Sequence, residues 1–150
     1  MAKRLLFLGV ALIVVFGACN NEGDDEGGTF DVSLSGDAEV CDGDTCGGDG
    51  SGSATVEINS DQNELCYDIT LEGVEGPNAA HIHSGDEGES GDVVVELAYE
   101  GDDSGTGGET CIDDIDEGVL EEISEEPKGH YLNVHTEELP DGAVRAQLES

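Results

Sequence analysis

Between residues 30 and 71, apolar and polar side chains alternate in three successive stretches. Phe30, Val32 and Leu34 are interleaved with Asp31 and Ser33; Ala54, Val56 and Ile58 with Thr55 and Glu57; Leu65, Tyr67, Ile69 and Leu71 with Cys66, Asp68 and Thr70. Successive side chains of an extended chain point to opposite faces, so each stretch predicts a strand with one buried face. Ser60 to Asn63 reads as the hairpin turn between the second and third, and Gly36 to Gly52 as a Gly/Asp-rich loop. Ala80-His81-Ile82-His83 alternates again, with Ala80 and Ile82 on one face and both imidazoles on the other. Val93 to Leu97, apolar apart from Glu96, reads as a buried strand. The last two strands are Tyr131 to Thr136 and Ala143 to Leu148, joined by the turn Leu139-Pro140-Asp141-Gly142. In them Leu132, Val134, Val144, Ala146 and Leu148 face inward, so Tyr131, Asn133, His135, Arg145 and Gln147 face outward.

One segment departs from period two. Apolar residues at 112, 115, 119, 120 and 123 follow helical spacing, and Pro127 and Gly129 supply a stop. This predicts one short helix, roughly Asp116 to Glu125, before the penultimate strand. Short strands at regular spacing with a single helix predict an all-β, antiparallel sandwich or barrel.

The N-terminus predicts export. Lys3 and Arg4 precede an apolar run, Leu5 to Ala18, which is too short to span a bilayer and ends in small residues. Phe16-Gly17-Ala18-Cys19 resembles a bacterial lipobox, in which the cysteine is lipidated and becomes the new N-terminus. Residues 1–18 are thus expected to be a lipoprotein signal peptide, 19–28 an acidic flexible tether and 29–150 the folded domain. Lipid on Cys19 would anchor it to the outer side of the cell envelope; soluble secretion is the alternative.

Charge narrows the partners. The chain carries 37 Asp and Glu against 4 Lys and Arg, a formal net charge of −33, and Lys128 and Arg145 are the only basic residues after the signal. Such a surface repels nucleic acid and anionic headgroups and suits cations or high salt, so a halophilic setting is expected. Calcium-binding acidic loops are a competing explanation. Counting from Asp42, however, the helix-loop-helix calcium pattern needs glutamate at its twelfth place and finds Ser53.

Of five cysteines, Cys19 is assigned to lipid, and an even number in an oxidising compartment predicts two disulfides. Three pairings are possible. Cys41 and Cys46 share one Gly/Asp loop, which makes Cys41–Cys46 and Cys66–Cys111 the natural choice.

Candidate chemistry lies with the histidines. His81, His83 and His135 all occupy outward positions, and they meet on one surface if their strands are neighbours. Three imidazoles from one face are the donor set of a transition-metal site, copper first and zinc second; hydrogen bonding to neighbouring strands is the alternative use. His130 lies on the other parity at a strand entrance and, with Arg145, is a possible accessory residue. No Ser-His-Asp order, phosphate loop or distinctive carboxylate pair stands out, so an enzymatic reading rests on metal alone.

Four motifs carry a family resemblance: Ala80-His81-Ile82-His83-Ser84-Gly85, Gly91-Asp92-Val93-Val94-Val95-Glu96-Leu97, Tyr131-Leu132-Asn133-Val134-His135-Thr136, and Gly142-Ala143-Val144-Arg145-Ala146-Gln147-Leu148. Together they resemble the successive motifs of the CHRD domain of bacterial exported proteins, from about Phe30 to Leu148, with Ala146 where the family usually has glycine. The resemblance implies an immunoglobulin-like β-sandwich, a binding or structural module, and no general activity. It also supports the Cys66–Cys111 pairing, a cysteine pair seen in a bacterial subgroup. A second, local resemblance is to the copper side of Cu/Zn superoxide dismutases, which are Greek-key barrels: a His-x-His pair, a late histidine and an arginine near the C-terminus. It implies a copper-only site of His81, His83 and His135 with Arg145 guiding an anion, because Ser84 to Gly91 holds no histidine for a bridging ligand. A chain this acidic repels superoxide, which weighs against dismutase activity.

Overall fold

The computed structural model describes residues 27–149 other than residue 42. The signal peptide, Cys19 and most of the tether lie outside that range. Eight strands form in chain order: β1 (Thr29–Ser35), β2 (Ser51–Asn59), β3 (Glu64–Glu72), β4 (Pro77–Ser84), β5 (Val93–Leu97), β6 (Thr110–Ile112), β7 (His130–Thr136) and β8 (Val144–Gln147). One helix, α1 (Glu117–Glu125), precedes β7. All pairings between strands are antiparallel, and hydrogen bonds join them into one sheet of order β5-β4-β7-β8-β1-β2-β3-β6.

The sheet curls nearly closed on its apolar face. The Tyr67 hydroxyl of β3 donates to the carbonyl of Ala98, just beyond β5, at 2.8 Å. Backbone bonds from Leu71 N to Ser104 O and from Thr106 N to Ile69 O cover the remaining edge of β3. The all-β expectation holds, and the layers of the expected sandwich are joined through one continuous hydrogen-bonded sheet.

The predicted parity is met in β1, β2 and β3, where Phe30, Val32, Leu34, Ala54, Val56, Ile58, Leu65, Tyr67, Ile69 and Leu71 are all buried. They form one core with Ala80 and Ile82 of β4, Leu132 and Val134 of β7, and Val144 and Ala146 of β8. Removing each large apolar side chain from water contributes about 1.5–3 kcal/mol. The helix adds a short cover. Asp116 caps it by accepting from Gly118 N, and Leu120 and Ile123, three residues apart, are fully buried. At nine residues it depends on that burial, because isolated helices of this length are marginal in water.

Two strand readings are corrected. Val93 to Leu97 is an edge strand buried on one face: Val95 and Leu97 enter the core, while Val93 is 44% exposed. An apolar run cannot reveal whether a second layer covers the outer side. Ile112, grouped with the helical spacing, belongs to β6, whose three residues are too few to show an alternation. Both disulfides are present as expected, Cys41–Cys46 and Cys66–Cys111, and they fit an exported protein.

Candidate metal centre

The centre lies on the outer face of β4 and β7, which are neighbours paired from Pro77↔Thr136 to Ser84↔His130. Ala80 and Ile82 are drawn into the core, so His81 and His83 are turned outward. His135 is turned outward likewise by Val134 and its pairing with Ala79. The three rings converge: one ligating nitrogen from each lies within 4.8 Å of the other two. Centroids are 4.7 Å apart for His81 and His135, 5.6 Å for His81 and His83, and 6.2 Å for His83 and His135.

The backbone orients two of the rings. His83 Nδ1 donates to the Gly91 carbonyl and His135 Nδ1 to the Pro140 carbonyl, each at 3.0 Å. A carbonyl oxygen only accepts, so both protons sit on Nδ1 and both Nε2 atoms keep their lone pairs. The His83 Nε2 is buried and has no hydrogen-bond partner, while the His135 Nε2 lies 3.0 Å from His81 Nδ1. Burial holds both His81 and His135 below the ordinary imidazole range. His83 adds to this at His81, where Glu96 opposes it; at His135 the Pro140 hydrogen bond and Asp141 oppose it, while His81 and His83 add to it. These rings are therefore neutral at neutral pH, the form in which imidazole ligates.

The outer face is less open than strand parity alone implies. Tyr131, Asn133 and Arg145 face outward but are almost fully buried, at 4%, 2% and 2% exposure. The segment that covers Tyr131 and Arg145 is the loop 85–91. Arg145 donates to the carbonyls of Glu89 (2.7 Å) and Asp86 (3.0 Å), and Gln147 Nε2 donates to that of Gly85 (2.6 Å). Gly91 N donates to the Tyr131 hydroxyl, and Gly91 must be glycine because a Cβ there would overlap the Ser84 carbonyl. Tyr131 stacks flat on His83 at 4.8 Å between centroids, and the Arg145 guanidinium lies 3.4 Å from the Tyr131 centroid. Since β7 lies between β4 and β8, the Tyr131 ring separates Arg145 from the imidazoles.

Arg145 therefore departs from the anion-guiding role that the resemblance implied. It does not ion-pair with an acid: the salt bridge among the described residues is Lys128–Glu149, at 4.0 Å and largely exposed. Nor is it placed to guide an anion to the histidines, because its bonds go to the loop and Tyr131 stands between. Strand parity could find its face but not the loop that covers it. His130 is also not brought to the cluster; it is 3% exposed and its Nδ1 bonds the Glu126 carbonyl. Sequence reasoning missed Gly91 and Pro140, whose contribution is a backbone oxygen and leaves no mark in residue type.

Acidic side chains alone converge nowhere in the same way among the described residues. Among the described residues the other group with metal-ligand spacing is Glu64, Cys66 and Cys111, whose cysteines form a disulfide.

Beneath the loops, Glu39 is half-buried with Oε1 unpartnered. Gly142, at φ 129°, leaves room for it, since a Cβ there would fall 2.5–2.6 Å from the carboxyl group. Burial pushes Glu39 up to about 7 from 4.5, opposed by Arg145. A carboxyl raised in the native state binds protons more tightly there than in the unfolded chain. Its contribution to stability is therefore largest below pH 4.5 and falls as pH rises to about 7. Glu39→Gln is expected to gain about 1–2 kcal/mol above that window, discounted for partial solvent screening, and nothing below it. Urea unfolding across the pH range tests this; an equal gain at all pH values would assign the effect to packing.

Fold and site together define a disulfide-linked all-β domain with a three-histidine cluster on its outer face. Over residues 30–148 the sequence matches the family model described as the CHRD domain, and the chain belongs to that family. No curated protein and no solved structure gives a significant match.

Proposed function

We propose that this CHRD protein is a lipid-anchored module of the cell envelope that binds a transition-metal ion, copper first and zinc second, through His81, His83 and His135. The carrying observation is the convergence of three imidazole nitrogens, two of them on rings whose other nitrogen is held by a backbone carbonyl. That is the arrangement by which proteins orient histidine ligands. If the three rings served only as framework, a buried, unpartnered His83 Nε2 would carry a desolvation cost with nothing to offset it. A bound ion would supply Lewis acidity or redox chemistry; the protein supplies three imidazole nitrogen donors and a covered flank.

Titration of the domain, disulfides intact, with copper and with zinc against a competing chelator tests the reading. One ion per chain is expected. His81→Ala and His135→Ala should each weaken binding by more than about 100-fold, since even residues behind the ligands typically contribute 10–100-fold. Weak binding that both variants leave unchanged would end the metal reading. Copper-dependent redox catalysis is the rival use of the same histidines, but Arg145 gives it no support, and the copper-loaded domain is expected to lack dismutase activity.

The anchor is tested separately. Cys19→Ala should release the protein from the membrane fraction of the producing cell.

A further inference from the structure

Of the three imidazoles, His81 alone is presented the other way round. His83 and His135 turn Nε2 to the cluster and give Nδ1 to a carbonyl. His81 turns Nδ1 to the cluster, and its Nε2 has no hydrogen-bond partner among the described residues.

Proton placement follows from the acceptors. Because His135 keeps its proton on Nδ1, its Nε2 can only accept from His81, so His81 carries its proton on Nδ1 in the structure described. Ligation through Nδ1 requires that proton on Nε2. Filling the site therefore switches the His81 tautomer and creates an Nε2–H donor without its own acceptor.

Glu96 is the residue placed to receive it. It pairs directly with His81 across β4 and β5. Its neighbours Val95 and Leu97 are buried in the core, so Glu96 projects from the same outer face as the imidazoles. Directly opposed residues on one face have Cβ atoms about 5 Å apart, within reach of a glutamate carboxylate. On that side the partner of His83 is Val93, which offers no acceptor.

We propose that Glu96 is a positioning residue of the metal centre, its carboxylate accepting His81 Nε2–H and so stabilising the tautomer in which His81 Nδ1 is free to ligate. This rests on the metal reading above and adds its missing third orienting contact. A carboxylate behind an imidazole also raises the basicity of the ligating nitrogen.

Zinc titration of the domain labelled with 15N at histidine tests it. In the wild type, one zinc should bind and His81 should show a protonated Nε2 that exchanges slowly with water. Glu96→Ala should weaken zinc binding about tenfold and speed that exchange, while Glu96→Gln, a neutral acceptor, should restore part of both. The loss should persist in high salt, where through-space attraction is screened; Asp61→Asn, at the remote β2–β3 turn, should have no effect. Unchanged affinity and exchange in Glu96→Ala would overturn the inference while leaving the metal site standing. So would transfer of both effects to Asn133→Ala, since Asn133 faces His81 from β7. If the wild type binds neither zinc nor copper stoichiometrically, both readings fall together; if copper alone binds, the same comparison is read with cuprous ion.

Discussion

Arg145→Met is expected to destabilise the domain by about 3 kcal/mol, lowering the melting temperature by about 10 °C, the large end of single-substitution effects. Methionine fills much of the volume but makes none of the bonds to the Glu89 and Asp86 carbonyls and to Gln147 Oε1. Each such bond from a charged donor contributes about 1.5–3 kcal/mol, and the guanidinium over Tyr131 adds roughly 0.5–2 kcal/mol. Water reaching the exposed loop carbonyls offsets part of the sum. Arg145→Lys should recover less than half, because an ammonium cannot reproduce a planar fork that spans two carbonyls. By contrast Lys128→Ala should change stability by less than about 0.5 kcal/mol, because the Lys128–Glu149 pair is 78% and 63% exposed. Thermal unfolding measures all three.

The same substitution should be felt at the histidines. Arg145 holds the loop, the loop ends at Gly91, and the Gly91 carbonyl orients His83. Hydrogen exchange at the Gly91 amide should accelerate in Arg145→Met. Under the proposed function, metal affinity should fall by about tenfold even where the domain is fully folded.

Arg145 also marks where sequence reading stops. Period-two alternation depends on one face meeting a core, so it was legible wherever only one face is buried. It placed the inward residues of β1, β2, β3, β4 and β7 and turned His81, His83 and His135 to a common side. The adjacency of β4 and β7 was a condition of that reading, since a local pattern does not specify which strands pair. What alternation could not show was the second, polar layer outside β7 and β8. There Tyr131 and Arg145 are covered by a loop whose composition, Gly85 to Gly91, reads simply as polar, and Asn133 is buried beside them. The orienting carbonyls of Gly91 and Pro140 are likewise products of chain path. Val93 to Leu97 failed in the opposite direction, since apolar residues on an edge strand carry no sign of which face lacks a cover.

Removal of the Cys66–Cys111 link, as a double alanine variant, is expected to lower stability by about 4 kcal/mol. The disulfide closes a loop of 45 residues, and the entropy it removes from the unfolded chain grows with the logarithm of that length. The Cys41–Cys46 link closes only 5 and should contribute about 2 kcal/mol. Native structure adds to the difference. Cys66 and Cys111 are direct partners across β3 and β6, and β6 has only three paired positions, Leu65↔Ile112, Cys66↔Cys111 and Tyr67↔Thr110. Without the covalent tie this edge should fray, loosening the segment that leads into α1 and its buried Leu120 and Ile123. Urea unfolding should show a lower midpoint together with a steeper slope, because the freed unfolded chain exposes more surface. A lower midpoint at unchanged slope would place the loss in the native state instead. The imidazoles stand on β4 and β7 and are oriented by the carbonyls of Gly91 and Pro140, and neither strand pairs with β3 or β6. While the variant stays folded, its imidazole geometry and metal affinity should therefore match the wild type. Arg145→Met should impair both stability and site, and the cysteine variant stability alone.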